Sequence, residues 1–230
     1  TQDPVFRPQP FGASDAMDWA KQARARAAHV LDGLKSRLAA MPDDLVELVG
    51  SLLACRRQMF DVFRRLEGAD VHLQKTRIHG NFHLGQVLRK RDDFVILGFK
   101  DDATVPVAES RLMQVPLKDV AGMLRSFSYA GQAALAAYLA RRPQDAETLE
   151  PWGRFWIRCA SAAFLASYRT AATGAVFLPA DGGNLERMLD ALLMDKAFSE
   201  LSYELEHRPT WARFPLLGLL DLVKESVGGR

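Results

Sequence analysis

The chain has 230 residues, 48% hydrophobic and 25% charged, with 30 Lys+Arg against 28 Asp+Glu. That is enough for one large domain or two small ones, in the proportions of an ordinary globular protein. A formal charge of +2 offers no broad phosphate-binding field, which argues against a nucleic-acid partner. No apolar run reaches the roughly 20 residues of a membrane span, so no membrane partner is expected. Two cysteines, Cys55 and Cys159, cannot form a disulfide framework. Both fall in apolar helical patterns, which predicts buried free thiols in a reducing cytoplasm.

Residues 1–13 carry Pro4, Pro8, Pro10 and Gly12 and read as an extended linker or a cut point, with no initiator Met and no signal-peptide core. One domain is expected over 14–230. Ser14 and Asp15 offer N-cap chemistry for a helix with an apolar stripe of Trp19, Ala23, Ala27, Leu31, Leu34 and Leu38. Pro42 with two aspartates opens a second helix, carried by Leu45, Leu48, Leu52, Met59, Phe63 and Leu66 and stopped by Gly68; its Arg56–Arg57 and Arg64–Arg65 pairs read as solvated faces. The period then changes. Thr76–His79 suggests a short strand, 80–86 a loop, and 87–97 a β-hairpin turning at Lys90–Asp93.

Helical spacing returns from Leu117 and breaks at Pro143. A further helix over 148–171 places Trp152, Phe155, Trp156, Cys159, Ala163 and Phe164 on one apolar side, expected in the core. After a loop, Asn184 is expected to cap a long helix that ends at Pro209, and a last apolar helix covers 214–223. The fold expected is mainly α (α+β), with one small hairpin beside the only unusual polar segment.

That segment is Arg77-Ile-His-Gly-Asn-Phe-His-Leu-Gly-Gln86. In its setting it resembles the catalytic loop of aminoglycoside-phosphotransferase-like kinases, and most nearly the maltokinase family, often fused to trehalose synthase. The stretches 116–129, 177–181 and 203–211 resemble the same family, so the likeness spans nearly the whole chain. It implies a kinase-like C-terminal lobe, with ATP and Mg²⁺ as cofactors, maltose or a related sugar as substrate, and an N-terminal kinase lobe and possible trehalose synthase domain as partners.

The resemblance also assigns residues. Asn81 stands where the family has its catalytic Asp, flanked by His79 and His83. Gln86 matches a position that contacts the nucleotide's metal. Gly98-Phe99-Lys100 stands where the family has a metal-binding Asp-Phe-Glu, leaving Asp101 and Asp102 as substitute metal carboxylates. Ser128 replaces a common Asp. Asp119, Arg125, Tyr203 and Trp211 become candidate sugar-contacting residues, although the bare spacing of Asp119 and Arg125 along a helix does not make them face each other.

Phosphoryl transfer is mostly positioning and charge neutralisation. Losing a general base costs about 10²–10⁴ in rate, and losing the metal carboxylate removes further charge stabilisation. No G-x-G-x-x-G or G-x-x-x-x-G-K-[ST] phosphate loop occurs in the sequence. The reading that follows is a maltokinase-like domain that has lost catalysis and serves as a structural, regulatory or sugar-binding module. The alternatives are a working maltose or amino-sugar kinase completed by its N-terminal lobe, and a pure interaction domain.

Overall fold

Alanines and leucines at three- and four-residue steps make α1 (Ala13–Arg37), in which Ala16, Ala20, Ala23, Ala27, Leu31 and Leu34 are buried. The buried stripe starts at Ala16 and Ala20; Trp19, one helical step aside, is only half-buried. Asp15 stabilises the start from inside the first turn, where its carboxylate accepts the Gly12 N–H at 3.0 Å and complements the helix dipole. The computed structural model describes residues 6–98, 112–179 and 181–228.

Two units divide these residues. One comprises 12–71 and 180–230, the other 1–11 and 72–179.

The first unit is all helical. The single helix expected over 43–67 is two, α2 (Asp43–Ala54) and α3 (Arg56–Glu67), parted at Cys55, with Gly68 at the C-cap of α3. The break lets α2 pack on α7 (Arg213–Gly228) while α3 packs on α1 and on α6 (Gly182–His207). Arg56 and Arg64 form surface ion pairs with Asp32 and Asp61, as expected of solvated faces. Asp181, not Asn184, caps α6: its carboxylate accepts the Gly183 and Asn184 N–H groups, each at 3.1 Å. Helix α6 packs on α1, α3 and α7, and it is accordingly apolar around most of its circumference.

In the second unit, the segment expected to be an extended linker holds a strand. β1 (Gln9–Phe11) pairs antiparallel with β2 (Leu73–Lys75), and Pro10 is accommodated in this short two-stranded ladder. The strand expected at Thr76–His79 therefore ends before it; only Thr76 bridges, to Gln114. The expected hairpin is present as β3 (Val87–Lys90) and β4 (Asp93–Ile96), turning through Arg91 at φ 57°. Helices α4 (Leu117–Leu139) and α5 (Ala146–Ala171) pack on each other.

The core expected along α5 is absent. None of its residues is buried, and Trp152, Phe155 and Trp156 are 63%, 57% and 51% exposed. The helix uses a different face, with Gly153, Ile157 and Phe164, against α4. The thiols are free, as expected, but not buried: Cys55 is partly accessible and Cys159 exposed. Among the described residues no helix is long and apolar enough to cross a membrane.

Candidate functional site

The loop 77–86 leaves β2 through the Thr76–Gln114 bridge, whose two backbone hydrogen bonds are both 2.9 Å long. It is then gripped by one carboxylate. Asp119, in the first turn of α4, accepts the His79 N–H on Oδ2 at 2.7 Å and the Gly80 N–H on Oδ1 at 2.8 Å. Gly80 has φ +84°, a conformation glycine adopts without penalty, which turns two successive N–H groups toward one anion. Burial pushes the Asp119 carboxyl up, against the two N–H donors that favour the charged form.

His79 fastens the loop to the hairpin. Its Nε2 lies 2.5 Å from the Leu97 carbonyl oxygen, while Nδ1 accepts the Asn81 N–H at 3.3 Å. These partners require the proton on Nε2. His83 caps the one-turn 3₁₀ helix Leu84–Gln86, accepting the Gly85 N–H on Nδ1 at 3.1 Å. Both histidines therefore order backbone on either side of half-buried Asn81.

Two contacts that sequence reasoning missed press the loop onto α4. The Leu84 N–H donates to Ser126 Oγ at 3.0 Å. A Cβ on Gly122 would stand 2.6 Å from the Phe82 carbonyl oxygen, so only a glycine allows this approach. A glycine inside a helical pattern was the available signal. Tyr168 of α5 was missed as well. Its buried hydroxyl has no hydrogen-bond partner among the described residues, and burial followed by the Asp119 charge pushes its pKa up.

The metal assignment fares differently. The Gln86 N–H donates to the His83 carbonyl at 2.8 Å, and the Gln86 carbonyl accepts the Leu97 N–H at 2.8 Å. The Gln86 side chain lies over Gly98, where a Cβ would touch its Oε1 and stand 2.7 Å from its Cδ. Gly98 also has φ +76°. Position 98 therefore has no room for a side chain while Gln86 stays where it is. Among the described residues no group of three or more His, Cys, Asp or Glu could hold a metal ion. The other candidate metal ligands, Asp101 and Asp102, and Lys100 beside them lie outside the described residues.

Of the candidate sugar contacts, Asp119 is engaged as the loop clamp. Arg125 is buried on α4, with Nη1 3.5 Å from Ser128 Oγ. Tyr203 and Trp211 belong to the all-helical unit, at the end of α6 and just beyond it. They are 47% and 40% exposed. The Arg208 guanidinium sits 5.6 Å and 5.0 Å from their ring centroids. Bidentate hydrogen bonds of 2.9 and 2.6 Å to buried Glu204 hold it there.

No protein-family model matches the chain. Relatives do. It is 28% identical over 218 residues to the glucosamine kinase of Streptacidiphilus jiangxiensis, spanning 95% of this chain and 45% of that protein. It is 26% identical over 224 residues to the glucosamine kinase of Mycolicibacterium smegmatis, 95% of this chain and 49% of that one. A glucosamine kinase solved in complex with glucosamine, ADP and inorganic phosphate matches with a TM-score of 0.72 at 26% identity, over 97% of this chain and 51% of that one. A further crystal form of glucosamine kinase gives the same score over 97% and 50%. The chain thus spans about half the length of the curated relatives it matches.

These findings correct two expectations. The likeness is to glucosamine kinases, not to maltokinases, and with relatives that are sugar kinases the reading as a maltokinase-derived module without catalysis falls. The reason is physical. His79, Gly80 and Asp119, in the motifs that suggested maltokinase, hold backbone together. Such contacts mark a loop and do not by themselves distinguish one sugar from another.

Proposed function

We propose that the chain is the kinase-like C-terminal lobe, over 14–230, of an ATP-dependent amino-sugar kinase acting on glucosamine or a close analogue. The whole-chain likeness to a kinase holding glucosamine, ADP and phosphate carries this reading. In it, a sugar hydroxyl attacks the γ-phosphorus, the new O–P bond forms as the bond to the ADP oxygen breaks, and the hydroxyl proton is released. Asn81 orients that hydroxyl through its carboxamide, held in place by His79, His83 and Asp119. In a loose transition state little proton abstraction precedes bond cleavage, so an amide can serve the positioning part of the role. The half of the relatives' length outside this chain would supply the grip on the nucleotide phosphates, since this sequence has no phosphate loop.

Calorimetric titration of the chain with glucosamine and with maltose, and glucosamine-dependent ADP release by the longest form of the protein, test the reading. Glucosamine is expected to bind and to be turned over. Preference for maltose, or no turnover of any amino sugar, overturns it. In the active protein Asn81→Asp is expected to raise kcat by about 10²-fold or more, the size of a general-base contribution, with KM little changed.

A further inference from the structure

Helix α5 is apolar on two sides. Gly153, Ile157 and Phe164 meet α4, and a second stripe faces outward, with Trp156 alone reaching α4, beside Gly131. Placed at 3.6 residues per turn, this stripe runs through Trp152, Phe155, Trp156, Cys159, Ala163 and Ala166, all exposed. Glu147, Glu150, Arg154, Arg158 and Arg169 fall on the remaining side of the helix. A helix with two apolar faces is one that is covered twice. Monomers seldom leave an apolar patch of more than a few hundred Å² open.

The order of sizes along the stripe indicates what covers it. Taking Cys159 as centre, Phe155 and Trp152 lie four and seven residues before it, and Ala163 and Ala166 lie four and seven residues after it. The large half precedes the centre and the small half follows. Two copies of α5 running antiparallel about a two-fold axis at Cys159 set Phe155 of one copy against Ala163 of the other, and Trp152 against Ala166. On either side of the central cysteine pair large residues then meet small ones, the arrangement that packed helix pairs need, and the patch is complementary to itself, as a two-fold interface demands.

The six aromatics of such a pair expose on the order of 600 Å², roughly half of the 1,200 Å² at which specific interfaces begin. The alanines and the intervening helix surface are available for the rest.

We propose that the outward stripe of α5 is a homodimer interface, its partner a second copy of this chain paired antiparallel about Cys159. Sedimentation of the chain over a range of concentrations is expected to show a reversible dimer. Mild oxidation with copper–phenanthroline, which takes up the two electrons as two thiols join, is expected to cross-link it through Cys159. Cys159→Ser should abolish the cross-link and Cys55→Ser should not. Ala163→Glu places a charge opposite Phe155 at a site exposed in the monomer; it is expected to raise the dimer dissociation constant at least 100-fold while leaving the circular dichroism unchanged. Phe155→Asp provides the same test from the other half of the stripe. A chain that stays monomeric throughout overturns the proposal. So does a dimer indifferent to both charges, or one cross-linked through Cys55 alone.

Discussion

The two units solve the burial problem in opposite ways. In the all-helical unit Phe63, Phe198, Leu31, Leu34, Leu52, Met59, Met188 and Leu201 are fully buried, spread over α1, α2, α3 and α6. In the loop-bearing unit Leu117 is the only large side chain of that kind among the described residues, while Leu88, Phe94, Ile96, Trp152, Phe155 and Trp156 are 43% to 65% exposed. One unit is held by its interior. The other holds its loop by a carboxylate clamp and a close backbone approach, and leaves apolar surface available for ligands and partners. Positioning and packing are therefore separable here, and substitutions can address each alone.

The largest contrast expected is between two phenylalanines. Phe63→Ala empties a fully buried site and should cost about 3–5 kcal/mol. Phe94→Ala, on the exposed hairpin, should cost less than about 1 kcal/mol, the scale of a cross-strand pair. Denaturant unfolding of both variants checks this. Similar losses at the two positions would mean that the hairpin is covered and that the contrast between the units is false.

How much of this is legible in the sequence follows the same division. Helical period locates α1 and α4 to α7 because their apolar stripes repeat at three and four residues, and alternation flanking a polar turn locates the hairpin. The period cannot say what an apolar face meets, so it assigns the aromatics of α5 to a core that does not exist. The break at Cys55 is hidden because the stripe runs through it, and β1 is hidden by its prolines. At the site, the loop is legible as a loop from its residues. The clamp is not, since Asp119 lies 40 residues from His79 and acts on backbone groups that leave no trace in side-chain spacing. Gly98 reads as a missing metal carboxylate, and restoring an aspartate there looks like a simple repair. The φ of +76° at Gly98 makes that repair strained, and Gln86 would have to move aside.

Smaller effects are expected where the clamp itself is changed. Asp119→Asn keeps the shape but leaves one acceptor and one N–H₂ group facing two N–H donors, so one partly accessible hydrogen bond is lost, at about 0.5–1.5 kcal/mol. Loosening should be local: hydrogen exchange at the His79 and Gly80 amides is expected to accelerate more than exchange in α1. Uniform acceleration would argue that Asp119 is only a stability residue. Gly122→Ala drives a methyl group at the Phe82 carbonyl and is expected to cost about 1–3 kcal/mol, the scale of overpacking. Gly33→Ala, inside α1 with nothing within 4 Å of its new Cβ, should instead stabilise by about 0.5–1 kcal/mol. Two glycine-to-alanine changes in helices then carry opposite signs, and thermal melts of the pair reveal it. A stabilised Gly122→Ala would show that the loop does not rest on α4.

The smallest effect tests the all-helical unit at a charge on the edge of its interior. Asp190 on α6 is partly buried, and its carboxyl is pushed up mainly by that burial; the Arg65 charge opposes the shift, while Glu186 and Glu225 add to it. A carboxyl raised in the folded state contributes its full stability below its unfolded value of about 4, and that contribution is lost as pH rises through the folded value. An amide in its place carries no such proton. Relative to the parent, Asp190→Asn should therefore gain stability as pH rises from about 4, then hold a constant advantage once the parent carboxylate is fully charged. Paired melts across the acid-to-neutral range measure the gap. A gap that stays flat, or that narrows with rising pH, would show that Asp190 is solvated or paired in solution. The dense interior of this unit would then carry no electrostatic cost, and burial would be less strict there than the contrast with the loop-bearing unit requires.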